Sequence, residues 1–300
     1  MKPILGFIGL GIMGKPMVRN LLSGGYDVHV YSIIEEDMLE IQKDGGIPEK
    51  SAKAVAEKAE ITIIMVPDTP HVKEVILGDA GVIHVLGKGK VIIDMSTISA
   101  VATKELAEIV KNTGARMLDA PVSGGDKGAI GGTLSIMVGG DKEVFEQCLP
   151  IFKLLGQRVT HVGANSMGQV VKSCNQVLAA ATVLALGEAL VLGTKAGADP
   201  EKIVEVLSAG YARCGVLDIR GANILRGDYA PGFKSKLQYK DLGLAMELSR
   251  SIDAPMPVTS IVHEFYKSCM AKGLGEGDHT NVICLIEEMA GVEVRGGKNK

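Results

Sequence analysis

Six residues near the N-terminus, Gly9-Leu10-Gly11-Ile12-Met13-Gly14, restrict this chain more than any other segment. They follow an apolar run over 3–9 and open a helical pattern from about Met13 to Ser23. In that setting G-x-G-x-x-G reads as a strand–turn–helix unit with a separate use for each glycine. The first makes the tight turn, the second lets a pyrophosphate approach the backbone, and the third lets helix pack on strand. A phosphate then lies at a helix N-terminus, where free N–H groups and the dipole favour an anion. The six residues therefore predict a bound dinucleotide.

Strand and helix patterns alternate behind this motif. Strands are read at 27–31, 61–66, 91–94, 116–120 and 134–138, with helices at about 35–44, 51–58, 71–77, 102–113 and 142–155. The implied fold class is α/β, a Rossmann-type, doubly wound parallel sheet with helices on both faces. The alternation stops near residue 162. From Met167 every segment reads as helix: about 167–196, 200–209, 214–226, 236–252, 255–271 and 277–290. Pro and N-cap residues in Gly197-Ala-Asp-Pro200 and Asp253-Ala-Pro-Met-Pro257 separate them. The predicted division is a dinucleotide-binding domain over 1–162 and an all-α substrate and oligomerisation domain over 163–300. A long interdomain helix from near Gly168 joins them. It is apolar nearly all round, which predicts burial on several sides and a homodimer or homotetramer.

Composition narrows the partners. Hydrophobic content of 46% supports a substantial core, while a net charge of −3 gives no footprint for nucleic acid. Tryptophan is absent and aromatics make up 4%, so base-stacking platforms are not expected. The five cysteines are scattered and odd in number, which argues for reduced thiols and against a disulfide framework or a metal site. The N-terminus runs into a strand with no signal-peptide pattern. The most hydrophobic stretch, 173–187, is shorter than a membrane span. The expectation is a soluble cytoplasmic protein that binds no membrane.

Lys172 and Asn175, in Gly168-Gln-Val-Val-Lys172-Ser-Cys-Asn175-Gln176, project from one helical face. An ammonium and an amide so placed can converge on one small polar substrate. Apolar surroundings lower the pKa of such an amine toward the range that proton transfer wants. A surface lysine near a helix start is the plainer alternative. The glycine-rich segment Asp119-Ala-Pro-Val-Ser123-Gly124-Gly125 suits a small carboxylate, or is simply a tight turn. Lys240-Asp241 lies on a later helix and by itself reads as a surface ion pair. His71, His161, His263 and His279 stand singly and read as structural or surface residues.

The ribose-reading position at the end of the second strand holds Tyr31-Ser32-Ile33. No Asp or Glu is there for a 2′-hydroxyl and no Arg for a 2′-phosphate. Glu35, Glu36 and Asp37, a turn later, read as acidic decoration of a helix start. NAD and NADP both stay open.

Taken together, the chain resembles the β-hydroxyacid dehydrogenase family, which includes 3-hydroxyisobutyrate dehydrogenases and tartronate semialdehyde reductases. The resemblance spans Gly6–Met17, Asp119–Gly125, Gly132–Gly140, Gly168-x-x-x-Lys172-x-x-Asn175 and Lys240-Asp-Leu-Gly-Leu-Ala. It implies Lys172 as proton donor and acceptor. Ser123, Gly124, Gly125 and Asn175 would hold the substrate carboxylate and hydroxyl, with Lys240 reaching the cleft. Val66 and Pro67 would line the adenine side, and Thr97 would contact the nicotinamide ribose. Gly132–Gly140 and Lys-x-x-Asn-Gln look most like tartronate semialdehyde reductases, and Lys272–Asp278 resembles 2-hydroxymethylglutarate dehydrogenase. Oxidation of 3-hydroxyisobutyrate or 4-hydroxybutyrate is a competing activity. Relatives also include non-catalytic dinucleotide-binding modules in which this Lys is replaced, and imine reductases, which usually lack it.

Overall fold

The computed structural model describes residues 2–297. These residues form two compact units that divide between Lys172 and Ser173.

In the first unit, β1 (Leu5–Ile8), α1 (Gly14–Ser23), β2 (Val28–Tyr31) and α2 (Glu35–Lys43) come first. The two-residue β3 (Ile47–Pro48), α3 (Ala52–Lys58), β4 (Ile61–Ile64) and α4 (Thr69–Leu77) follow. Next are β5 (Val91–Asp94), α5 (Ala100–Asn112), β6 (Arg116–Asp119), β7 (Val122–Ser123) and α6 (Gly125–Gly131). The unit continues through β8 (Ser135–Gly139), α7 (Lys142–Leu155) and β9 (Arg158–Gly163).

The strands form one sheet in the order β3-β2-β1-β4-β5-β6-β8-β7, with β9 beside β8. Strand order reverses between β1 and β4, and in an open parallel sheet that is where a ligand crevice forms, beyond the carboxyl ends. Period-two alternation supplies two cores. Leu5, Phe7, Ile61, Ile63 and Ile93 pack on one face with Met17 and Leu21 of α1 and Phe152 of α7. Ile8, Ile64 and Ile92 pack on the other with Val55 of α3, Ile76 of α4 and Leu106 of α5. Side-chain caps fix several helix starts: Ser51, Asp68, Ser99 and Asp141 each accept a backbone N–H of the first turn.

Two strands, β8 and its parallel neighbour β9, depart from the all-parallel expectation. β8 runs antiparallel to β6 and β7. The stretch between β7 and β8, residues 124–134 including α6, is at about the lower limit of a parallel crossover. The two-residue β3 and β7 are too short to show alternation, while β9 has no fully buried residue and α6 has three glycines among its seven residues, so neither carries a clear apolar period.

α8 (Met167–Lys195) is a single helix of 29 residues. It is long and apolar enough to cross a membrane by length and composition alone, with 39% of its most apolar window buried. The 173–187 stretch read from sequence is thus only its middle. The second unit continues with α9 (Pro200–Ala209), α10 (Gly215–Arg226), α11 (Ser235–Ser251), α12 (Pro257–Ala271) and α13 (Ile283–Ala290). Leu184, Leu190, Leu217, Leu242, Tyr266 and Ile283 lie in its core. α13 starts later than the sequence pattern indicates. Asp278 caps a 3₁₀ turn, His279–Val282, that takes up the preceding residues.

Candidate active site

The glycine loop lies at the β1/β4 reversal. Gly9 has φ +100°, and its N–H donates to the Tyr31 carbonyl at 2.9 Å. A Cβ at Gly9 would fall 2.2 Å from the Met65 carbonyl oxygen, and one at Gly14 would fall 1.9 Å from that of Gly9. Neither position admits a side chain. Gly11 differs: a Cβ there meets nothing within 4 Å. Met13 precedes α1 without a capping side chain, so the positive helix end is left for an external anion. Tight packing at the outer glycines, open space at the middle one and an uncapped helix start fit a pyrophosphate. Leu10, Gly11, Ile12, Lys15 and Ile130 line a cavity beside this loop.

At the end of β2, Tyr31 is half-buried and Ser32 buried. Ser32 Oγ accepts the Ile34 N–H at 3.2 Å, while Ile33 is 87% exposed. Of the acids that follow, Asp37 is taken by Lys15, which also pairs with Glu40 at 2.7 Å. Arg19 pairs with Glu40 and Asp44 at 2.6 and 2.7 Å. Asp37 thus ties α2 to α1, more than decorating a helix start.

The start of α8 is built onto the ends of β5 and β6. Asp119, fully buried at the end of β6, accepts the Ser166 N–H at 2.8 Å and the Gln169 N–H at 3.0 Å. Burial pushes the Asp119 carboxyl up from its ordinary range, against the backbone donors that favour its charge. Gly168 makes the approach possible, because a Cβ there would lie 2.5 Å from the Met137 carbonyl and 2.7 Å from Asp119 Oδ2. Gly139 does the same from β8, where a Cβ would lie 2.6 Å from Asp119 Oδ1.

The Gln169 side chain reaches the β5–α5 loop. Its Nε2 donates to the Ser96 carbonyl at 2.8 Å and its Oε1 accepts the Ile98 N–H at 3.2 Å. These two bonds flank Thr97. Ser96 Oγ accepts the Val66 N–H at 3.0 Å, which carries the network to the end of β4. Lys172, one turn beyond Gln169, is only 6% exposed. Val66, Thr97 and the start of α8 are therefore joined through buried polar groups, with the exposed Pro67 adjoining.

Ser123 ends β7 opposite Ser135 and is half-buried. Gly124 and Gly125 follow with φ values of +135° and +62° and lead into α6. In the second unit, Asn175 Nδ2 donates to Gln176 Oε1 at 2.8 Å, and Gln176 Nε2 donates to Asp241 Oδ2 at 2.6 Å. Asp241 Oδ1 lies 3.2 Å from Lys240 Nζ. Asn175 and Lys240 thus belong to one network, and Lys240-Asp241 is a partly buried pair, not a surface one. Asp119 and Gln169 were not singled out from the sequence. The available signal was a polar side chain one turn before Lys172 in an otherwise apolar helix.

Comparison with known proteins places this arrangement. Residues 4–163 match the family model for the NAD binding domain of 6-phosphogluconate dehydrogenase. Residues 166–286 match that for the NAD-binding of NADP-dependent 3-hydroxyisobutyrate dehydrogenase. The 2-hydroxy-3-oxopropionate reductase of Escherichia coli (strain K12) is 43% identical over 95% of this chain and 98% of its own. The chain belongs to the 3-hydroxyisobutyrate dehydrogenase family. Another member, the 2-(hydroxymethyl)glutarate dehydrogenase of Eubacterium barkeri, is 38% identical over 98% of each chain. The solved 3-hydroxyisobutyrate dehydrogenase of Mycobacterium tuberculosis with L-serine superposes with a TM-score of 0.88 at 30% identity, covering 95% of this chain and 99% of its own. This family member is an NAD(P)-dependent β-hydroxyacid dehydrogenase, with a Rossmann domain followed by a helical one.

Proposed function

We propose that the chain reduces tartronate semialdehyde (2-hydroxy-3-oxopropanoate) to glycerate, reversibly, with Lys172 as general acid and base. The single observation that carries the chemistry is the buried placement of Lys172 one turn past a helix start tied to the ends of β5 and β6. For the substrate, the support is the 43% identity to 2-hydroxy-3-oxopropionate reductase over nearly the whole chain.

Bound NAD(P)H would supply a hydride to the aldehyde carbon. Lys172, as ammonium, gives a proton to the aldehyde oxygen as the C–H bond forms, leaving an alcohol and a neutral amine that solvent reprotonates. In oxidation the neutral amine takes the hydroxyl proton. Ser123, Gly124 and Gly125 anchor the substrate carboxylate, Asn175 orients the hydroxyl, and Lys240 adds a positive charge toward the same acid and the dinucleotide. Gly9–Gly14, Tyr31, Ser32, Val66, Pro67 and Thr97 hold the dinucleotide.

A second substrate reading comes from the 38% identity to 2-(hydroxymethyl)glutarate dehydrogenase, and a pocket difference of one methylene changes preference by only about 1–3 kcal/mol. The assay is purified protein with NADH or NADPH and, separately, the semialdehydes of tartronate, methylmalonate and succinate, and 2-formylglutarate. Highest kcat/KM on tartronate semialdehyde supports the assignment, and highest kcat/KM on another acid replaces it. We also propose a soluble cytoplasmic homodimer or homotetramer. Leu178 and Leu192, 70% and 73% exposed on α8, lie two heptads apart and would be covered by a second copy. A monomer by light scattering at micromolar concentration removes that proposal.

A further inference from the structure

We propose that Gln169 is a positioning residue that sets the cofactor-side loop and the proton-transfer amine in one fixed register. The proposal rests on the assignment of Lys172 above. The Gln169 side chain has one donor face and one acceptor face, and the structure uses both on the residues flanking Thr97, at Ser96 and Ile98. Its backbone N–H is committed separately to Asp119. Gln169 thus ties the end of β6, through Asp119, to the loop after β5, through its amide, and Ser96 Oγ carries that loop on to Val66 N after β4.

Burial makes this arrangement stiff. Gln169, Ser96 and Ile98 are 1%, 0% and 1% exposed. Water cannot replace the amide there, and hydrogen bonds strengthen at low local dielectric. A capping role alone does not explain the side chain, because Asp119 already satisfies the start of α8 without it. Lys172 lies three residues on, a rise of about 4.5 Å along the helix. Any slip of the Ser96–Ile98 loop against α8 therefore moves Thr97 relative to the amine. A misplacement of about 1 Å in reacting groups lowers rates by about 100-fold.

The test is Gln169→Met, which keeps the length of the side chain and removes both bonds. The expected result is a kcat lowered by about 10- to 100-fold with KM for the aldehyde acid within about threefold. The deuterium isotope effect with 4-deuterated NADH should rise, as hydride transfer becomes rate-limiting. The NADH Kd, measured by fluorescence without substrate, should weaken by about three- to tenfold, because binding must then order the loop around Thr97. A melting temperature that falls while kcat, isotope effect and NADH Kd stay within twofold of the parent would make Gln169 merely structural and overturn the proposal. If Gln169→Met does not fold, Gln169→Asn, which keeps the amide but shortens its reach, is read by the same criteria. Lys172→Ala separates the two claims. An inactive Lys172→Ala beside a parental Gln169→Met overturns only the role of Gln169, whereas an active Lys172→Ala overturns the assignment beneath it.

Discussion

Lys15 Nζ lies 3.0 Å from Asp37 Oδ1, and this contact ties down the one half-buried acid among the three that follow the end of β2. With Lys15 and Arg19 both committed to α2 carboxylates, the end of β2 presents Ser32 and the exposed Ile33. Glu35 and Glu36, just beyond, are exposed, as is Lys50 after β3. Neither nicotinamide dinucleotide is strongly rejected by such a mixed rim. Binding titrations should give Kd values for NADH and NADPH within about tenfold, a difference under about 1.4 kcal/mol. Ser32→Asp should shift that ratio toward NADH by about tenfold or more, since a carboxylate accepts from a 2′-hydroxyl and repels a 2′-phosphate.

Lys172→Ala should lower kcat by about 10²- to 10⁴-fold, the range for a positioned acid or base. Its NADH Kd should stay near that of the parent. Steady-state kinetics and fluorescence titration on one preparation check both. Near-normal turnover would end the assignment of Lys172.

Much of this was legible in local sequence, and the rest was not for a physical reason. Gly9, Gly11 and Gly14 reveal their use because the strand and helix that need them are adjacent in the chain. The length and apolar character of α8 are likewise local. The carboxylate that holds the start of α8 belongs to Asp119, about 50 residues before Gln169, and no local period records that pairing. Gln176 and Asp241 are 65 positions apart, so the partner of Lys240-Asp241 was equally hidden. β7 and β3 have two residues each, below any window in which alternation can be seen.

Two glycine substitutions should separate packing from binding. In Gly168→Ala the methyl would crowd the Met137 carbonyl and the Asp119 carboxylate, and overpacking of this kind costs about 1–3 kcal/mol. Urea denaturation should show that loss, and kcat should fall because the start of α8 moves. In Gly11→Ala the methyl meets no protein atom. Stability should stay within about 0.5 kcal/mol of the parent, while NADH binding weakens because the methyl occupies the approach of the pyrophosphate. Equal losses of stability in the two variants would contradict the geometry of both sites.

The second unit should lose stability on acidification, starting below about pH 6.5. Burial lowers the pKa of His279 and His263 from their ordinary values. The unfolded chain therefore takes up these protons first, and stability falls as pH drops through the ordinary histidine range. Asp278 adds to this at lower pH. Burial opposes its charge, but Thr280, His279, the Gly232 N–H and Arg220 outweigh it and hold the carboxyl below its usual range. The stability Asp278 contributes is thus full above the ordinary carboxylate pKa and is lost as pH falls through its depressed one. Asp119, in the first unit, acts with opposite sign: its raised pKa means that its folded form gains relative stability as acid is added. A bulk melt mixes these effects, so the difference between parent and variant is the useful quantity. His279→Gln should flatten the slope of unfolding free energy between pH 7 and 5 measured in urea. Arg220→Ala, which leaves Asp278 with its backbone and Thr280 donors but without the cation at 3.1 Å, should cost about 2 kcal/mol at pH 7. That is less than the ~3–5 kcal/mol for a buried ion stripped of its partner, because four hydrogen bonds to the carboxylate remain.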